Sequence, residues 1–125
     1  MTKLVVTLRT AESEHEYRVA REKKLLKPIA DETPIISFNY WRIVDNRYPY
    51  DVAFAKHHLL IPIRKFAEHS DMNLEELCEL NELHSNYIAY EYHMMFENMP
   101  GARSIKDLYH IHLARYYNNR TEMSL

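Results

Sequence analysis

The sequence predicts an α+β domain in which an antiparallel sheet packs against helices. Two kinds of segment carry that reading. Short runs rich in β-branched and aromatic residues are bounded by turn-forming residues, and one long capped stretch has apolar residues at helical spacing. The order in which they follow one another fits strands and helices in one two-layer domain.

Taken in order, residues 12–27 (ESEHEYRVAREKKLLK) have high helix propensity and mixed charge, and Pro28 closes them. Asp31-Glu32-Thr33-Pro34 is a turn. Ile35 to Val44 reads as one strand, and the loop DNRYPYD follows. His57 to Ile63 is a second strand, with Pro62 near its end, where a missing N–H is tolerated. Asn73 caps the next helix, and Glu76 three residues on completes a capping box. Leu74, Leu77, Leu80, His84, Tyr87, Ile88 and Glu91 follow at helical spacing, widened by Leu83 and Tyr90, with Cys78 packed beside this core stripe. Strands over Tyr92–Glu97 and Tyr109–Tyr116 flank a loop through Pro100-Gly101. The chain thus divides into an N-terminal helical extension (1–34), a domain (35–117) and a flexible polar tail (118–125).

Composition narrows the function. A chain of 125 residues fits one domain, and 46% hydrophobic with 27% charged residues is globular usage. Sixteen Lys and Arg against eighteen Asp and Glu give no overall pull towards nucleic acid or a membrane surface. A lone cysteine, Cys78, rules out an intrachain disulfide and suits a reducing compartment. The run Leu4-Val5-Val6 is too short for a signal-peptide core, and no stretch is long enough to span a bilayer, so a cytoplasmic protein is expected. Gly101 is the only glycine, which excludes the Gly-rich phosphate loops of P-loop and dinucleotide-binding proteins. Any phosphate site must use side chains or the amides of other residues.

The final strand, YHIHLARY, holds the residues with chemistry. Alternation puts Leu108, His110 and His112 on one face and apolar Tyr109, Ile111 and Leu113 on the other, towards the core. The imidazole pair has three readings on this pattern alone: polar residues on a solvated face, a metal chelate, or a nucleophile with a phosphate-holding partner. Trp41 and its neighbouring tyrosines read as core or subunit interface, and Met94-Met95 as core filler. His15, His69, His84 and His93 read as structural. His57 reads as exposed or as a neighbour of the site. Arg47, Arg64 and Lys65 read as solvated.

The segment PGARSIKDLYHIHLARY resembles the signature of the histidine-triad (HIT) nucleotide-binding superfamily. HHLLIPIRK resembles that family's histidine-bearing strand ending in Pro and a basic residue. WRIVDNRYPYD and MFENMPGARSI resemble its two Asn-containing strand–loop segments. The matches come in family order over about residues 38–116 and leave 1–34 unexplained. The resemblance implies a HIT-like fold and a central triad histidine at His110 that forms a covalent nucleotidyl intermediate. It implies His112 beside the phosphate oxygens and His58 as the histidine of the neighbouring strand. Asn46 would line the ribose, with Asn98 and Ser104 near the phosphate and leaving group. Leu108 stands where the first triad histidine belongs, and a leucine side chain neither donates nor accepts. Arg103 stands where a glutamine often precedes the serine.

The implied activity is hydrolysis or nucleotidyl transfer on a dinucleoside polyphosphate, phosphoramidate or similar nucleotide, with no cofactor and with the chain paired as a homodimer. A nucleotide-binding protein with little catalysis is the alternative that Leu108 favours. A metal-binding cluster of His110 and His112, with His58 as third ligand, is another.

Overall fold

The computed structural model describes residues 8–24, 26–103 and 105–117. Among these, strands β1 (Pro34–Ser37), β2 (Trp41–Asp45), β3 (Lys56–Pro62), β4 (Met94–Phe96) and β5 (Ile111–Arg115) form one antiparallel sheet in the order β1-β2-β3-β5-β4. With helix α1 (Ala11–Glu22) and helix α2 (Leu74–Leu83), this is an α+β architecture. No helix among the described residues is long and apolar enough to cross a membrane. Ser104 and the tail 118–125 lie outside the described residues.

The single strand expected over 35–44 is instead a hairpin of β1 and β2. Phe38 N–H donates to Trp41 O at 2.7 Å and closes the turn. The Glu79 carboxylate, reaching across from α2, accepts the amides of Asn39, Tyr40 and Trp41 at 3.1, 2.7 and 3.1 Å. An acceptor some forty residues away satisfies the turn, so the local sequence carries no signal for it.

Period-2 alternation gives the sheet two different faces. Trp41, Ile43, Leu60, Ile111 and Leu113 project to one, where they pack with Leu80, Leu83, Ile88 and Tyr92 of the helical layer. Val44, Leu59, Ile61 and Leu108 project to the other and meet Ile29, Ala30 and Ile105. The first face is the main core; the second is the floor of the site.

Helix α2 starts as its cap predicts. Asn73 Oδ1 accepts Glu76 N–H at 2.9 Å, and Glu76 Oε1 accepts Asn73 N–H at 2.8 Å. Arg64 holds the same carboxylate at 2.7 Å, which allows Glu76 to be buried. The buried stripe therefore runs through Glu76, Leu80, Leu83 and Ile88. Leu74, Leu77, Tyr90 and Cys78, all assigned to the core from spacing, are exposed. A π-turn (His84–Ile88) interrupts the helix before its last turn, helix α3 (Ala89–Glu91), and rotates the stripe late in the segment. Helix α1 begins at an N-cap on Thr10 but ends at Glu22, short of Lys27. Lys24 follows in the left-handed region at φ 56°, a common way to terminate a helix.

Replacing Glu79 with Ala leaves three hairpin amides without their charged acceptor. The expected cost is about 2 kcal/mol in urea unfolding, with an unchanged m-value. An unaltered midpoint would show that the hairpin does not depend on this docking.

Candidate active site

On the face opposite α2 the sheet floors a cleft of about 400 Å³, within the range of small-molecule sites. Leu59, Ile105 and Leu108 form an apolar base. His110, His112 and Asn98 stand on one side, and Asn46, Tyr48 and Tyr50 on another. Residues around 26–32 and helix α1 close the remaining side. His110 and His112 are 6% and 3% exposed, so little more than an edge of each ring meets the cleft.

The β3–β5 register sets the contents of this face. Leu59 lies opposite His112, and His57 opposite Ala114. His57 is therefore on the site face, buried, with Nε2 2.7 Å from His112 Nδ1. Phe96, opposite His112 on β4, stacks on its ring at 4.7 Å and 6°.

Two backbone groups fix the protons. Tyr50 N–H donates to His57 Nδ1 at 3.0 Å. A backbone amide can only donate, so a neutral His57 carries its single proton on Nε2. That proton goes to His112 Nδ1, which leaves His112 with its own proton on Nε2. Asn46 agrees: Tyr48 N–H donates to Asn46 Oδ1 at 3.0 Å, which turns the Asn46 Nδ2 donor towards His57 Nδ1 at 3.3 Å. Asn98 Nδ2 is 3.4 Å from His112 Nε2 and 3.2 Å from Tyr50 Oη. A half-turn of that amide presents its oxygen to the His112 donor.

His110 has the opposite polarity. Its Nδ1 is 2.9 Å from Leu108 O, and a carbonyl only accepts, so Nδ1 carries the proton and Nε2 keeps the lone pair. Nε2 has no hydrogen-bond partner among the described residues. One imidazole thus offers the cleft a lone pair, and its neighbour offers an N–H.

Burial and nearby positive groups keep these rings neutral. Burial, followed by Arg9 and the other histidines, pushes His57 down to about 4. Burial, then His57 and His110, pushes His112 down to about 3. Burial also lowers His110; the Leu108 carbonyl opposes the shift, Arg103 reinforces it and Glu97 opposes it.

Four of the residues expected at the site, His110, His112, Asn46 and Asn98, line this cleft. Ser104 lies outside the described residues. His58 does not join them: it pairs with Leu113, on the core face. Its Nδ1 is 2.7 Å from Tyr92 Oη and its Nε2 is 3.9 Å from Asp45. His57, read as exposed or as a neighbour of the site, is the second of these: it is buried behind His112 and hydrogen-bonds it. The metal chelate loses its third ligand with His58, and no group of three or more His, Cys, Asp or Glu among the described residues could hold a metal ion. Arg47 and Lys65 line the cleft, whereas Arg64 is committed to Glu76. Compared with protein-family models and with curated proteins, the sequence matches none.

The depressed histidines set a pH dependence. In the unfolded chain these rings take up protons below about pH 6.5, whereas folded His57 and His112 resist protonation until about 4 and 3. Their contribution to stability is therefore complete above pH 6.5 and is lost as pH falls towards 3–4. The melting temperature should drop between pH 7 and pH 4.5, and H57Q/H112Q should flatten that drop. Equal slopes in the two proteins would contradict the assignment.

Proposed function

We propose that the protein is a nucleotide hydrolase or nucleotidyl transferase of the HIT type, with His110 as nucleophile. The observation that carries this is His110 itself, its Nδ1 held by the Leu108 carbonyl and its Nε2 lone pair unpartnered at the cleft. A neutral, oriented imidazole whose pKa is lowered is a competent nucleophile near pH 7.

In this reading His110 Nε2 attacks the phosphorus that bears the nucleoside. An N–P bond forms as the bond to the leaving phosphate, ester or amine breaks, and the leaving group departs with that electron pair. Attack leaves positive charge on the ring, and the Leu108 carbonyl stabilises the Nδ1–H that shares it. His112 Nε2–H exchanges the Asn98 oxygen for a non-bridging oxygen of the ligand and donates to it as charge builds there. An amine leaving group also takes up a proton from solvent as it departs. Water, or the hydroxyl of a second acceptor, then attacks the same phosphorus and gives its proton to solvent; the N–P electron pair returns to Nε2 and frees neutral His110. The step that orients His110 uses the main chain of residue 108, so a leucine side chain there does not remove it.

The alternative is a nucleotide-binding protein without turnover. What favours it is the Leu108 side chain, buried against Val44, Leu59 and Ile61 where the family places an imidazole.

Diadenosine polyphosphate and adenosine phosphoramidate, assayed for released AMP, test both readings. His110→Asn should lower kcat/KM by roughly a thousandfold or more and leave nucleotide binding intact. Unchanged turnover would remove the nucleophile, and binding without turnover by the unaltered protein would favour the alternative. The acid limb of kcat/KM should fall below the ordinary histidine range, because the reactive form is the neutral ring and burial lowers its pKa.

A further inference from the structure

The N-terminal segment lies outside the resemblance, yet it forms a wall of the cleft. Ile29 and Ala30 pack on the floor residues Val44, Leu59, Ile61 and Leu108. Arg42 Nη2 donates to Ala30 O at 2.6 Å, and Arg47 pairs with Glu32 at 3.1 Å. Upstream, Thr10 donates through N–H and Oγ1 to the Asp51 carboxylate at 2.8 and 3.1 Å. Arg9 Nε donates to Tyr48 O at 3.0 Å, and the Arg9 guanidinium lies 4.3 Å from the Tyr17 ring centroid. These contacts hold both α1 and residues 29–32 against the loop that carries Asn46 and Tyr50.

This docking places two cations on the cleft wall, Arg21 at the end of α1 and Lys27 just before the 29–31 turn. Lys65, after β3, and Lys106, before β5, line the same cleft from other segments. None of the four makes an ion pair among the described residues. The lining also includes Glu32, Asp45 and Asp107, but Glu32 is already paired with Arg47. The chain as a whole carries a formal charge of −2, so this cationic excess is local.

The phosphate under attack needs only the imidazoles and Asn98. The four cations that line the same cleft exceed that need, and they suit further phosphates of the same ligand. We infer that Arg21 and Lys27 of the N-terminal segment, with Lys65 and Lys106, form a polyanion subsite that takes the phosphate chain beyond the reacting phosphorus. The substrate class is then a nucleotide whose leaving group is itself a phosphate chain, in preference to one with a neutral amine. The inference rests on the nucleotide reading for the identity of the other half of the ligand.

Separate calorimetric titrations with inorganic tripolyphosphate, inorganic phosphate and AMP test it. The variants are R21A/K27A and a charge-matched control on the same segment, R18A/K23A, whose residues do not line the cleft. Tripolyphosphate should bind the unaltered protein, and R21A/K27A should weaken it tenfold or more while the control shifts it less than threefold. Equal weakening in both variants, no weakening, or tripolyphosphate bound no better than inorganic phosphate would overturn the subsite. Circular dichroism of both variants checks folding; both remove exposed side chains. Absence of AMP binding with the tripolyphosphate pattern intact would defeat the nucleotide reading and leave the subsite standing.

Discussion

Leu59 stands opposite His112 across the β3–β5 ladder, and that register puts His57 and His112 on one face of the sheet, away from the main core. A slip of one residue on β3 would exchange its two faces, sending His57 into the core and His58 to the cleft. The register is held from both sides. Leu60 locks into the aromatic core below the sheet, and Leu59 with Ile61 packs beneath the N-terminal segment above it. Because each face has its own apolar cluster, the slip would disturb two packed layers at once.

With that register in place, two backbone groups arrange the protons. The Tyr50 amide fixes His57 and through it His112, while the Leu108 carbonyl fixes His110. Adjacent imidazoles on one strand face are thereby given opposite roles, one a lone pair and the other an N–H. Burying neutral polar rings carries a desolvation cost, which the His57–His112 hydrogen bond, the backbone partners at Tyr50 and Leu108 and the stacking of Phe96 offset. Depressed pKa values are the electrostatic counterpart of the same burial. Near neutral pH the rings stay uncharged, and the proton order described for neutral imidazoles holds.

Much of the fold was legible in the sequence where local chemistry decides local structure. The Asn73–Glu76 cap marks the start of α2, and alternation in YHIHLARY separates Tyr109, Ile111 and Leu113 from Leu108, His110 and His112. What was not legible depends on partners distant in sequence. The β1–β2 turn is satisfied by Glu79, so the segment reads locally as one strand. His57 and His58 could not be told apart because β3 is apolar on both faces, which removes the parity signal that a one-sided strand would give. Asn46, singled out by the resemblance alone, lines the cleft, but the Tyr50 amide that orders the protons has no side-chain signature. The cleft wall from residues 26–32 was unreadable for the same reason: its place is set by packing on Leu59 and Leu108.

Mapping the covalent adduct that the proposed nucleotidyl transfer requires is the most direct check on the proton order. The protein would be mixed with a nucleotide substrate, quenched in alkali within a turnover, digested and sequenced by mass spectrometry. The expected result is a nucleotidyl group on His110 and none on His112. A nucleotidyl group on His112, or sustained turnover with no adduct on either ring, would contradict the roles that the Leu108 carbonyl and the Tyr50 amide assign.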